Sequence, residues 1–258
     1  MGIIELEVIE KQSDIVELDV VEKYNPYHDK RGRFTSASGA ASFSIGSNSK
    51  GAKTAIENEK KRHDAEIKAV ASAKIAEAVK AEPGITKSLT DIAEKNGATM
   101  FGLKYKVKEA ESLERKVRTE CKEKAITPQE AIKKMYDVNR YTMLIDETTF
   151  TATVKNTFST MESEGYKVER VKNTFQKGNE YIAVNCVLSD KNGTRFELQF
   201  HTKRSLEVKD VNHKLYEEQR EDSTPAARRK ELGQIMANNT NSIPIPEGIE
   251  TVKSFSKL

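Results

Sequence analysis

"FELQFHTKRSLEVKDVNHKLYEE", Phe196 to Glu218, decides how this chain is read. Phe196, Leu198 and Phe200 alternate with Glu197, Gln199 and His201, the period-two pattern of a strand with one apolar and one polar face. Arg195 continues the polar side. The spacing then turns helical and sets Lys209, His213 and Tyr216 at i, i+4 and i+7. A polar strand face carrying Arg, Glu, Gln and His lines a cleft or an open surface, and the helix after it adds functional groups to the same place.

Working outward, "DKNG" (Asp190–Gly193) joins this strand to "EYIAVNCVLS" (Glu180–Ser189) as a hairpin. "YKVERVKNTF" (Tyr166–Phe175) reads as another strand, and "NRYTMLI" (Asn139–Ile145) as an earlier one. Between them Phe150, Val154, Phe158 and Met161 mark one helical face that ends at Gly165. Helices are expected over about 205–220 and 225–236, followed by a polar tail. The order β-α-β-β-β and then helices predicts an α+β fold, a mixed and mostly antiparallel sheet flanked by helices.

The first half is helix-rich. Thr127, Pro128 and Glu130 form a capping-box start, and Val107, Leu113 and Val117 recur at helical spacing upstream. Residues 86–97 read as a helix, and 55–81 as a charged one that Glu82-Pro83-Gly84 is expected to stop. Residues 1–23 are acidic with strand-like alternation. Lys23 to Lys53 is rich in Ser, Gly, Ala and basic residues and reads as a flexible linker. The expected organisation is 1–53 acidic segment and linker, 54–85 charged helix, 86–237 folded domain and 238–258 polar tail.

Composition sets outer bounds. Of 258 residues 36% are hydrophobic and 32% charged, which concentrates the core in one part of the chain. A net charge of +3 is too near neutral to indicate bulk nucleic-acid binding. Cys121 and Cys186 lie far apart with no CxxC, as two thiols of a reducing compartment would. No secretory leader and no apolar run of spanning length is visible, so a soluble protein with no membrane partner is expected.

Taken singly, the polar residues have ordinary readings. Asp137 before a strand suits a turn, His213 suits a helix surface, and the run Lys106, Lys108, Ser112, Arg115, Lys116 suits a solvated face. Together they have a chemical logic. An Asp beside a Glu holds Mg²⁺ through oxygen ligands, a Lys/Arg stripe grips a triphosphate, and a Tyr such as Tyr181 stacks a base. That is a kit for nucleotidyl or pyrophosphoryl transfer. No GxxxxGK[ST] loop, no GxSxG elbow and no zinc-ligand spacing appears.

The order of these motifs resembles the RelA/SpoT synthetase family, the alarmone synthetases, over roughly Thr86 to Arg220. "KVKEAESLERK" (Lys106–Lys116) is similar to the family's ATP-phosphate helix, and "DVNRYTMLI" (Asp137–Ile145) to its metal-binding strand entry. "NEYIAVNCV" (Asn179–Val187) sits where the family has its base-stacking Tyr, "FELQFHT" (Phe196–Thr202) resembles its E-x-Q-I-R-T strand, and "NHKLYEE" (Asn212–Glu218) its H-x-x-[WY] helix. The resemblance implies an ATP pyrophosphokinase. Lys106, Lys108, Ser112, Arg115 and Lys116 would hold ATP, and Asp137 and Glu197 would hold Mg²⁺, with Glu197 also taking the proton of an acceptor 3′-hydroxyl. Tyr181, Lys172, Gln199, His201, Lys209 and His213 would contact the acceptor, a nucleotide or a tRNA 3′ end.

The sequence departs from the family at several positions. Arg140 and Thr142 replace Gly and Arg, Glu180 replaces Gly, Ala183 and Asn185 replace Ser and His, and His201 replaces Arg. This variant resembles a divergent branch associated with phage head proteins and toxins. It implies a bacterial cytoplasmic or virion-associated setting, with phage head or portal proteins or a neutralising antitoxin or immunity protein as partners. Two other readings stand beside it: a non-catalytic virion module that keeps the fold, and an ADP-ribosyltransferase toxin. The last lacks an STS-like strand and has Glu197 and Gln199 in reverse order.

Overall fold

The computed structural model describes residues 50–221 and 223–258; the acidic segment and nearly all of the linker lie outside them. Among these residues six α-helices and six strands follow in the order α1 (Lys50–Lys95), β1 (Thr99–Phe101), α2 (Ala110–Lys124), α3 (Pro128–Lys133), β2 (Arg140–Leu144), α4 (Phe150–Ser163), β3 (Lys167–Asn173), β4 (Val184–Ser189), β5 (Arg195–His201), α5 (Lys203–Arg220), α6 (Ala226–Thr240) and β6 (Phe255–Ser256). The strands form one sheet in the order β1-β2-β5-β4-β3-β6. β2 and β5 run parallel and the remaining neighbours antiparallel, the mixed α+β sheet that the pattern predicts.

Alternation in β2 and β5 decides what each face does. Tyr141 and Met143 on β2 and Phe196, Leu198 and Phe200 on β5 point into the main core. There they meet Leu89 and Ile92 of α1 and Phe150, Val154 and Met161 of α4. Tyr141 stands edge-on to Phe196 at 5.9 Å, joining β2 to β5, and Phe158 of α4 edge-on to Phe200 at 5.5 Å, joining β5 to the helix layer. The opposite faces of the same strands carry Arg140, Thr142, Glu197 and Gln199, left for the site.

The helix boundary expected at Glu82–Gly84 does not exist: α1 runs through Pro83 for 46 residues. Its apolar stripe explains why. Ile67, Ala71 and Ala78 pack in a second cluster with Leu113 and Val117 of α2 and Ala131 of α3, whereas Ile85, Leu89 and Ile92 belong to the main core. Both halves are therefore pinned to the same body. Interior Pro costs about 3 kcal/mol, and each fully buried Ile or Leu returns roughly 1.5–3 kcal/mol. The carbonyl deprived of its donor is that of Val79, a residue on the exposed side of the helix. Local propensity loses to packing.

The tail is also more than polar. Ile243, Ile249 and Val252 are buried in the main core, Asn173 Nδ2 donates to the carbonyls of Ile249 and Val252, and β6 pairs with β3. Among the described residues no helix is long and apolar enough to cross a membrane.

Candidate active site

The site is built where β2 begins. Met135 and Val138 are buried in the second cluster, so the chain around Asp137 is held on both sides. Residues 106–108 run beside 138–140: Lys108 N donates to Val138 O at 2.9 Å and Arg140 N to Lys106 O at 2.8 Å. Across the other side, Glu197 N donates to Asn139 O at 2.9 Å, and buried Asn139 donates to the Ala78 carbonyl of α1. Asp137 is thereby set one step from the strand that carries Glu197. Both carboxylates line one cleft of about 450 Å³, together with Lys116, Tyr136, Arg170 and Ser256.

The Lys108 and Lys116 ammoniums each donate to Oδ2 of Asp137 at 2.9 Å. Asp137 is only 14% exposed, and its Oδ1 is buried with no hydrogen-bond partner. Burial pushes its carboxyl up, but Lys116 and Lys108 outweigh that and hold it down at about 2. Lys106 is drawn elsewhere, to Glu82 of α1 at 2.7 Å. Ser112 and Arg115 are half-buried on α2, and Arg115 has no ion-pair partner among the described residues. Of the five ATP-phosphate candidates, Lys108 and Lys116 are gathered at Asp137, Ser112 and Arg115 lie on the same helix as Lys116, and Lys106 is tied to α1.

Glu197 is oriented by a relay that sequence reading did not see. Lys209 Nζ donates to Gln199 Oε1 at 2.9 Å, which turns the Gln199 amide so that Nε2 donates to Glu197 Oε1. One Glu197 oxygen is thus held and the other left to the cleft. Burial, and then Arg140, depress the Lys209 ammonium, since a second cation stands nearby. Gln199 is 6% exposed, so as placed Gln199 and Lys209 act on Glu197 and do not offer free donors to an acceptor phosphate.

His201 is placed differently from its expected role as well. It is fully buried, its Nε2 meets the Tyr181 hydroxyl at 3.2 Å and its Nδ1 the Ser205 hydroxyl at 2.8 Å. Burial, then the charge of Lys209, push the imidazole down to about 3, so it is neutral and both nitrogens are occupied. It cannot grip a phosphate from there; it fixes Tyr181. Tyr181 precedes β4 instead of lying in it, donates to Asn185 Oδ1 at 3.1 Å and stands edge-on to His201. Burial and the nearby Glu197 charge push its phenol up.

Two candidates stay outside these networks. Lys172 is exposed on β3, in a row with Asn185, Gln199 and Thr142 that crosses four strands. His213 is exposed on α5 and is not brought to Glu197 by any hydrogen bond or ion pair among the described residues. Residues missed at first are Tyr136, whose ring faces the Arg170 and Arg195 guanidiniums at 5.8 and 5.5 Å, and Arg140, in register with Glu197. Arg140 was legible only as a departure; strand alternation puts it on the polar face with Thr142.

The donor set suits a hard divalent cation. Two carboxylates face one cleft, and a buried carboxylate oxygen lacks a partner. Among the described residues no group of three or more His, Cys, Asp or Glu could hold a metal, so an ion here would complete its shell with water and phosphate oxygens, as Mg²⁺ does at nucleotide sites.

The sequence matches no protein-family model and no curated protein. Among solved structures it is similar to small alarmone synthetase 1 from Bacillus subtilis bound to pppGpp, with 15% identity, 62% of this chain and 86% of that one covered, and a TM-score of 0.42. A GTP pyrophosphokinase family protein from Streptococcus pneumoniae is similar at 15% identity, 64% and 84% coverage and TM-score 0.42. The Type VI effector Tas1, solved in complex with its immunity protein, is similar at 17% identity, 66% and 94% coverage and TM-score 0.44. What this chain does has to come from its own side chains.

Proposed function

We propose that the protein transfers a pyrophosphoryl group from ATP to the 3′-hydroxyl of a nucleotide or of a tRNA 3′ end. The observation that carries this reading is the convergence of Asp137 and Glu197 on one cleft, with Lys108 and Lys116 on the first carboxylate and a hydrogen-bond relay on the second. A Mg²⁺ ion bound between them would neutralise phosphate charge. Lys108, Lys116 and Arg115 hold the triphosphate of ATP and restrain its geometry. Glu197 accepts the acceptor's 3′-hydroxyl proton on the oxygen that Gln199 leaves free. The hydroxyl oxygen bonds to the β-phosphorus, the bond from that phosphorus to the α,β-bridging oxygen breaks, and AMP departs. Tyr181, steadied by His201 and Asn185, presents its ring to the acceptor base.

On GDP, GTP or a related nucleotide this chemistry makes an alarmone synthetase; on a tRNA 3′ end it makes a translation-blocking toxin that needs an immunity partner. A second reading, a fold kept as a non-catalytic virion module, is favoured by one feature: Asp137 already has two internal counter-ions. Incubation with β-labelled ATP, Mg²⁺ and GDP, GTP, ADP, ATP or bulk tRNA as separate acceptors decides between them. Label on one acceptor is the expected result. Bound ATP with no transfer to any of them favours the non-catalytic module.

A further inference from the structure

We propose that Lys108 and Lys116 keep divalent cations off Asp137 until a nucleoside triphosphate arrives, so that the metal enters only with the nucleotide. The inference rests on reading this cleft as an ATP site. Both ammoniums lie 2.9 Å from the same oxygen, Oδ2, of a carboxylate that is largely buried. Two cations on one anion leave a positive centre, and Glu197, the other proposed ligand, has one oxygen taken by Gln199. Before nucleotide binds, this is an anion site with the metal's place guarded.

Triphosphate oxygens are stronger hydrogen-bond acceptors for ammonium groups than a carboxylate already shared between two of them. Lys116 is the one that swings: its side chain is 43% exposed at the end of a long stem on α2. Lys108 is 17% exposed and its backbone is bonded to Val138, so it stays and is shared between Asp137 and phosphate. As Lys116 leaves, Oδ2 keeps only Lys108 as a partner, Oδ1 beside it is unpartnered, and the phosphates supply the remaining ligands.

The test uses Mn²⁺ alone as probe, its binding to the full chain followed by loss of the free-ion EPR signal. Without nucleotide, Lys116→Met should bind Mn²⁺ at least tenfold more tightly than the wild type, and adding Asp137→Asn should abolish the gain. Lys116→Gln, which keeps a polar end on the exposed stem, should behave as Lys116→Met does. Equal Mn²⁺ affinity in wild type and both Lys116 variants, or a gain that survives Asp137→Asn, overturns the proposal while leaving the nucleotide reading intact. In EDTA, α,β-methylene ATP should bind the wild type at least tenfold more tightly than Lys116→Met. If the analogue binds neither with nor without Mg²⁺, the nucleotide reading and the proposal fall together.

Discussion

Asp137→Asn should flatten the acid limb of the stability curve. The carboxyl of Asp137 is held at about 2 against an ordinary 3.8, a difference worth roughly 2–3 kcal/mol at about 1.4 kcal/mol per unit. Because the folded value is the lower one, this stability is fully present above pH 4–5 and is lost as pH falls through 3.8 towards 2. By linkage about 2 kcal/mol of it has gone at pH 2. The Asn variant has no proton to take up, so the gap between wild type and variant should shrink by about 2 kcal/mol from pH 6 to pH 2. At neutral pH the variant leaves Lys108 and Lys116 without their counter-ion and should be less stable by roughly 3 kcal/mol, the usual cost of breaking a buried pair. Urea unfolding of both proteins at a series of pH values measures the gap directly. Parallel curves would show that the two lysines do not depress Asp137, and the account of Asp137 as their shared counter-ion would fail.

Other consequences are local. Lys209→Met leaves the Gln199 Oε1 without its donor and loosens the amide that holds Glu197; kcat should fall by about 10²-fold with KM for ATP unchanged, and a change in KM alone would mean that Lys209 touches substrate instead. Tyr181→Phe strips His201 Nε2 of its buried partner and should cost about 1–3 kcal/mol in urea unfolding; no loss would refute the network. Gly84→Ala meets no atom within 4 Å and lies inside α1, so it should raise stability by about 0.5–1 kcal/mol, visible as a higher Tm. A lower Tm would mean that Pro83–Gly84 needs a backbone that alanine resists.

Much of this fold was legible because its alternations are clean. Phe196, Leu198 and Phe200 against Glu197, Gln199 and His201 state both the strand and the face that matters, and Thr127 with Glu130 forms the capping box observed. Pro83 misled because its effect depends on packing far along the chain: Ile67 and Leu89 hold the two halves of α1 whatever lies between. The tail misled because Ile243, Ile249 and Val252 are sparse and aperiodic, and only the fold reveals that they share a core.

The site divides the same way. That Asp137 and Glu197 line one cleft is in keeping with the order of motifs in the family that the sequence resembles. That Gln199, His201 and Lys209 serve neighbouring groups could not be read from the sequence. Residue type offers donors and acceptors, whereas their targets depend on register, here Gln199 beside Asn185 and Thr142, and on α5 returning over β5. Buried polar groups must find partners, and these found them inside the protein.

The most direct test of the account is single-turnover transfer from β-labelled ATP by wild type and by Glu197→Gln, with binding of α,β-methylene ATP measured in parallel. The account predicts labelled acceptor and AMP from the wild type, and a loss of at least about 10²-fold in the variant with analogue binding unchanged. Transfer by Glu197→Gln at the wild-type rate would contradict it.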